Sequence, residues 1–232
     1  MRRRLLIAAT LAIAGCSGGS AHIDVRADLD DIALASAVEI HASGCHTEPI
    51  RGGGSGIIGG YVLTAAHVVA GATSITVRSA AFGSTTGVAA HLVAVDPAND
   101  LALLAAPGLL LAGLPLGKAS AGDLGVAVIV RDHAGIAAPF TISRPVSVRI
   151  LDIYQHDTVT RSGYQVAIEI EPGDSGAVLV GPRGDAVGVL YARSQAAENR
   201  AWATSTSAVP GLLQRAAGVD TATGIDPGPC AG

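Results

Sequence analysis

An all-β fold arranged as two successive barrels is the class this sequence predicts. Short alternating or β-branched apolar runs recur along most of the chain, broken by Gly, Pro, Asn and Asp, which punctuate sandwiches and barrels rather than helices. The runs fall into two sets, separated at 109–116 by an apolar stretch that contains Gly113 and Pro115. A chain of 232 residues, 49% hydrophobic and 15% charged with 30 glycines, has the length of one double barrel or two small domains.

The N-terminus reads as a processing signal and lies outside that fold. Arg2, Arg3 and Arg4 precede an uninterrupted apolar run from Leu5 to Ala14, too short to span a bilayer comfortably and with the charge order of a secretory signal. It ends in Ile13-Ala14-Gly15-Cys16, followed by Ser17-Gly18-Gly19-Ser20. This is the pattern of a bacterial lipobox, in which cleavage leaves Cys16 as the lipid-bearing first residue. The alternative is an ordinary secretory signal with an incidental cysteine. Either way the domain is expected outside the cytoplasm, and on a lipid anchor at the cell envelope if Cys16 is modified. Residues 17–34, polar and Asp-containing, read as a tether.

The globular region is expected over 35–217. Strands at 37–42, 57–64, 74–78, 91–95 and 101–105 make a first barrel, within 35–108. The stretch 109–116 then crosses to a second barrel within 117–206, with strands at 126–130, 146–150, 165–170, 177–180, 186–192 and 201–204. Helical spacing at Val209, Leu212 and Leu213 gives a short C-terminal helix with Pro210 in its first turn, where a missing N–H costs nothing. Residues 218–232 form a Gly- and Pro-rich tail, and no internal sequence repeat is visible.

Charge and cysteines narrow the function classes. A net charge of −4, no basic run, and four tyrosines and two phenylalanines scattered along the chain leave neither an electrostatic footprint nor a stacking platform for nucleic acid. With Cys16 set aside, Cys45 and Cys230 remain, an even pair in an oxidising compartment whose disulfide would tie the ends of the domain together. His41, Cys45 and His46 are the alternative, a metal site, but no second closely spaced ligand pair accompanies them. No metal and no cofactor are expected.

Three motifs carry chemistry: T-A-A-H-V at Thr64–Val68, D-L-A-L-L at Asp100–Leu104 and G-D-S-G-A at Gly173–Ala177. A serine hydroxyl is a weak nucleophile until a base takes its proton, and that base needs a third group to fix its tautomer. Ser175, His67 and Asp100 fit those roles, and backbone N–H groups of Gly173 and Ser175 would receive the developing oxyanion. Asp96 competes with Asp100, but Pro97 gives it a turn-initiating place, whereas Asp100 leads straight into an apolar run. The order His, Asp, Ser differs from the Asp, His, Ser of subtilisin-type enzymes and the Ser, acid, His of α/β-hydrolases.

Over about residues 37–217 the chain therefore resembles the trypsin-like serine peptidases. V-D-P-A-N-D-L-A-L-L at 95–104 and E-P-G-D-S-G-A-V-L-V at 171–180 are most similar to compact bacterial members, the HtrA/Deg group and the actinobacterial periplasmic acid-resistance peptidases. The resemblance implies two six-stranded Greek-key barrels with the triad in the cleft between them. It also implies a disulfide from Cys45, shortly before the G-S-G strand, to Cys230. Ala177 stands where glycine is common, and Asp174 where the HtrA group has asparagine. No PDZ domain is read after the peptidase region, so HtrA-style control of oligomers is not expected, and the oligomeric state is not legible.

The resemblance points to Glu169, six residues before the serine, and to Leu190, Tyr191 and Arg193 as walls of the substrate pocket. Glu169 would favour basic side chains and Arg193 acidic ones, unless the two pair with each other or Glu169 faces solvent. Ile57-Ile58-Gly59-Gly60 looks like an activation terminus but belongs to a strand, and Arg183-Gly184-Asp185 is a hairpin loop. The expected function is a serine endopeptidase acting on polypeptides through an acyl-enzyme on Ser175. The rival is a catalytically silent trypsin-like domain serving as a binding or scaffold lipoprotein.

Overall fold

The computed structural model describes residues 25–81 and 86–232. The signal and lipobox residues, Cys16 included, lie outside the described residues.

Strands β1 (Ala37–Ser43), β2 (Ile50–Ile57), β3 (Tyr61–Thr64), β4 (Ser74–Ser79), β5 (Val88–Asp96) and β6 (Leu101–Ala105) form the first sheet. Their order is β1-β2-β3-β6-β5-β4, and β1 pairs with β4 to close a barrel. The second barrel comprises β7 (Leu124–Arg131), β8 (Ala134–Leu151), β9 (Thr158–Ala167), β10 (Val178–Val180), β11 (Ala186–Arg193) and β12 (Arg200–Ser205). It closes in the order β7-β8-β9-β12-β11-β10, the same Greek-key path as the first. The repeat that the residues do not display is present in the topology.

Burial explains the strands. In β4 the alternation is plain, with Ile75 and Val77 buried and Ser74 and Thr76 exposed, as one core face requires. In β6 the whole run Leu101–Ala105 is buried, because its outer face is covered by α2 (Ala66–Val69) and α3 (Val209–Ala216). The crossing segment stitches the barrels together. Leu114 N–H donates to Gly56 O (3.0 Å) in the first barrel, and Gly117 N–H to Ala186 O (2.9 Å) in the second.

Several elements differ from the sequence expectation. The strand expected at 57–64 is the end of β2, a turn with Gly59 and Gly60 at φ 104° and 80°, and then β3. Most of β2 lies outside the strand expected at 57–64, since four glycines in Ile50–Ile57 weaken a strand signal, and only the resemblance pointed to a strand at G-S-G. They serve close approach: a Cβ on Gly52 would lie 2.6 Å from Val68 Cγ1 and 2.9 Å from Ser175 O. Strand β8 runs 18 residues rather than over 146–150, with Pro139 and Pro145 inside it and a bulge between Ile142 and Arg144, a site where a missing N–H is tolerated. Strand β9 ends at Ala167 instead of Ile170, and Ile168 N–H turns to Asn199 O (3.2 Å).

Of the tether expected at 17–34, residues 25–34 are corrected by helix α1 (Val25–Ser36), which packs against β2, β7 and β8, and 17–24 lie outside the described residues. Leu29 and Ala33 lie on one helical stripe, Ala33 fully buried, so the Asp-rich segment is the polar face of an amphipathic helix. At the other end a 3₁₀ turn (Thr206–Ala208) leads into α3, with Pro210 in the first turn.

The tail is fastened rather than loose. Ile225 N–H donates to Leu92 O (2.7 Å), Gly71 N–H to Pro227 O (3.0 Å), and Gly232 N–H to Ile153 O (2.9 Å). Cys230 forms a disulfide with Cys45 across a sequence separation of 185, with the Cα atoms 5.6 Å apart. Gly71, at φ +69°, lies so near that a Cβ there would sit 2.6 Å from Cys230 N. Closing so long a loop restricts the unfolded chain, typically by about 2–4 kcal/mol. The Cys45→Ser, Cys230→Ser double variant should melt on the order of 5–10 °C earlier and lose its tail first under limited proteolysis. An unchanged melting curve would show that the hydrogen bonds of the tail suffice.

Candidate active site

The histidine of the site is held at both ends of its own residue. His67 lies on the single-turn helix α2 directly after β3. Its backbone N–H donates to Asp100 Oδ1 (2.9 Å), and ring Nδ1 lies 2.8 Å from Oδ2 and 3.0 Å from Oδ1. A carboxylate only accepts, so Nδ1 carries the proton and Nε2 is left as an acceptor. The Asp100 side chain is 4% exposed and that of His67 29%, so the carboxylate is buried while the imidazole edge meets the cleft.

The turn before β6 delivers the carboxylate. Asp96 accepts from Asn99 N–H (3.1 Å) and Asn99 Nδ2 (2.9 Å), an Asx-type turn. Asp100 follows at φ 55°, a left-handed conformation that aspartate tolerates better than most residues. The structure thus brings Asp100 to His67, and keeps Asp96 to its own turn and to Arg215 at 3.8 Å. From the second barrel Thr204 Oγ1 donates to Asn99 O (2.9 Å) and Arg161 Nε to Ala98 O (3.0 Å).

Ser175 sits on the loop before β10, and backbone contacts seat that loop on β2 and against the turn that leads to His67. Its carbonyl accepts from Gly53 N–H (2.8 Å), and Thr64 Oγ1, three residues before the histidine, donates to Gly53 O (2.7 Å). A Cβ on Gly176 would lie 3.2 Å from Ala65 N, and Gly52 is flanked by Val68 and Ser175 together. Side chains at these glycines would wedge the serine loop away from the histidine turn.

Asp174 N–H donates to Glu171 O (3.1 Å), closing a turn with Pro172 second and Gly173 third at φ +102°, the type II pattern. Among the described residues the N–H groups of Gly173 and Ser175 have no hydrogen-bond acceptor. The Asp174 side chain is wholly buried. It takes both ends of the Arg131 guanidinium, with Nη2 2.7 Å from Oδ2, and accepts from Glu171 N–H (2.7 Å). Hydrogen bonding to Asp174 raises Arg131 above its already high range, against the opposing effect of burial. This anchoring role of Asp174, supplied by Arg131 on β7, is what sequence reasoning missed; the aspartate in G-D-S-G was the available signal.

The expected pocket residues differ in exposure. Glu169 is exposed between buried Ile168 and Ile170, and Arg193 is exposed. Leu190 has its side chain in the second core, and its backbone supports the loop by accepting from Gly176 N–H (2.8 Å) and donating to Ala177 O (2.9 Å). Tyr191 is half-buried under Arg161. Cys45 is bound to Cys230 and so is no longer a thiolate ligand beside His41 and His46. Glu39, His41 and His133 do bring ligand-type atoms within 4.8 Å of one another. The Arg78 guanidinium, however, is bonded to Glu39 and lies against His133 Nδ1, so the carboxylate already has its cation.

Two Greek-key barrels, one presenting a carboxylate-bound histidine and the other a serine in a glycine-rich turn, define the chymotrypsin-type class of protein. The profile of the trypsin-like peptidase domain matches residues 51–189, and the chain belongs to that family. It is 33% identical over 135 residues, 56% of this chain and 33% of the relative, to the serine protease Rv3671c of Mycobacterium tuberculosis. It is 34% identical over 150 residues, 61% of this chain and 30% of the relative, to a probable periplasmic DegP-like serine endoprotease of Ectopseudomonas mendocina. The matched stretch thus spans about a third of these relatives. The crystal structure of the Rv3671c protease described as its active form aligns with a TM-score of 0.78 at 26% identity, covering 100% of both chains.

Asp100→Asn should lower turnover on the order of 10⁴-fold by misdirecting the imidazole tautomer, while Asp96→Asn keeps most activity; steady-state hydrolysis of a peptide substrate gives the ranking, and the reverse order would exchange their roles. Arg131→Met leaves Asp174 buried without its cation. It should cost about 3 kcal/mol of stability and lower turnover on the order of 10²-fold as the oxyanion turn loosens. Wild-type turnover in Arg131→Met would mean that the turn holds its own shape.

Proposed function

We propose that this chain is an extracytoplasmic serine endopeptidase that cleaves polypeptides through an acyl-enzyme on Ser175. The observation that carries this reading is the Asp100–His67 couple with Nε2 free, set beside a serine loop that is seated on Gly53.

The steps follow from the atoms in place. His67 Nε2 takes the Ser175 hydroxyl proton as Oγ forms a bond to the scissile carbonyl carbon, and Asp100 balances the imidazolium. The carbonyl π pair moves to oxygen, where the Gly173 and Ser175 N–H groups receive it. Collapse expels the amine, which takes the proton from His67. Water then repeats the sequence with His67 as base, releasing the acid and restoring Ser175. Nothing in these steps requires a metal or a cofactor.

The location rests on two supports, the signal-like run before Cys16 and the periplasmic naming of the DegP-like relative. Among the described residues no helix is long and apolar enough to cross a membrane. Lipid on Cys16 would supply the anchor.

Labelling of the secreted protein by a fluorophosphonate probe tests the chemistry. The label should map to Ser175, and Ser175→Ala should abolish it while lowering turnover by several orders of magnitude, on the order of 10⁶-fold. A folded, unlabelled wild-type protein would instead favour a silent binding domain. For the anchor, cells expressing the full chain should incorporate labelled fatty acid and retain the protein in the membrane fraction. Cys16→Ser should lose both, and persistence of both in that variant would refute the lipobox.

A further inference from the structure

We propose that Arg161 is a positioning residue for this hydrolysis: from the second barrel it holds the Asp100 carboxylate and offsets part of the charge that Asp100 presents to His67. The proposal rests on the endopeptidase reading and deepens it.

Arg161 lies on β9 and is 3% exposed, a burial that a guanidinium reaches only when it is paired. Its Nη1 is 3.6 Å from Asp100 Oδ2, with both side chains 4% exposed. Its Nε donates to Ala98 O (3.0 Å), and its guanidinium carbon is 4.8 Å from the centroid of the Tyr191 ring on β11. One cation thus crosses from the second barrel to the acid turn of the first. On its far side it is stacked on the strand that also supports the serine loop through Leu190. His67 meets Asp100 from the first barrel and Arg161 meets it from the second, so the three charged groups fall in the sequence cation, anion, imidazole.

A buried carboxylate beside an imidazole favours its protonated form. A guanidinium already on that carboxylate offsets part of its charge and repels an imidazolium on the other side. Removing that cation should therefore strengthen the preference of Asp100 for an imidazolium beside it. The catalytic imidazolium still forms, since Asp100 keeps both of its bonds to His67.

Other groups near the couple do not take this part. Burial pushes the Tyr191 phenol above its ordinary range, so it stays neutral. Of the elements packed against α2, β1 carries Glu39 and His41, where Glu39 is engaged by Arg78; β2 carries the exposed Arg51; and β5 carries His91 and also Asp96, which is bound to Asn99.

The test is the pH profile of kcat/KM for a quenched-fluorescent peptide with the secreted full chain, comparing wild type, Arg161→Met and Arg161→Lys. The acid limb should move up by about half to one pH unit in Arg161→Met, which keeps the stem and removes the charge. It should stay close to wild type in Arg161→Lys, which keeps the charge. The position of the limb, unlike its height, does not depend on how much of a variant folds, and Arg161→Gln provides a second neutral side chain if Arg161→Met is not recovered. Coincident limbs for wild type and the neutral variants would overturn the proposal, as would a lysine variant shifted as far as the methionine one. NMR titration of the His67 ring in a Ser175→Ala background, with and without Arg161→Met, should show the same displacement without turnover. Absence of fluorophosphonate labelling in wild type would count against the endopeptidase reading, whereas labelling with an unmoved limb would count against Arg161 alone.

Discussion

The approach of the two barrels along β2 is the constraint on which everything else depends. Gly53 N–H reaches Ser175 O at 2.8 Å, and such a contact exists only because Gly52 and Gly53 carry no side chains where Val68, Ala177 and the Ser175 carbonyl lie. Glycine in a strand costs backbone entropy and gives up packing. Here it lets a loop of one barrel rest on a strand of the other, so that serine and histidine are placed by main-chain contacts.

Around that seam the buried charges are arranged as pairs that cross it or brace it. Asp100 of the first barrel faces Arg161 of the second, while Asp174 is enclosed by Arg131 next to the seam. Each carboxylate is almost fully buried, and each keeps further N–H donors besides its guanidinium. Such pairs add little net stability over apolar packing, but breaking one is costly because the remaining charge has no partner. Their value lies in fixing geometry: one sets the acid behind the histidine and the other the turn behind the serine.

What could be read from the residues follows a physical pattern. Strands with clear alternation, such as Ser74–Ser79, or with a dense aliphatic run, such as Leu101–Ala105, were legible because their burial is written in their hydrophobicity. Strand β2 carried no such pattern of its own, since two of its glycines, Gly52 and Gly53, answer to Ser175 and Ala177 more than a hundred positions away. The prolines of β8 masked a long ribbon, and α1 was hidden because three aspartates on one face outweigh a narrow apolar stripe. At the site, His67, Asp100 and Ser175 are visible as motifs, for their chemistry demands particular residue types in particular surroundings. Arg131 and Arg161 are not, since an arginine in a strand carries no local mark of the carboxylate it will meet across the fold.

The fastening of the tail joins the most distant parts of the chain. Every strand pairing of the first barrel lies within Ala37–Ala105, so that barrel can close on contacts near in sequence as the chain emerges, with its N-terminal part first. The second barrel can then form on its glycine seam. Cys230, and Gly232 with its bond to Ile153, lie beyond the last strand of the second barrel, so the tail ties back to both barrels from the end of the chain. The tail is a latch between the C-terminal end and the first barrel, and its covalent part closes only where Cys45 and Cys230 can be oxidised.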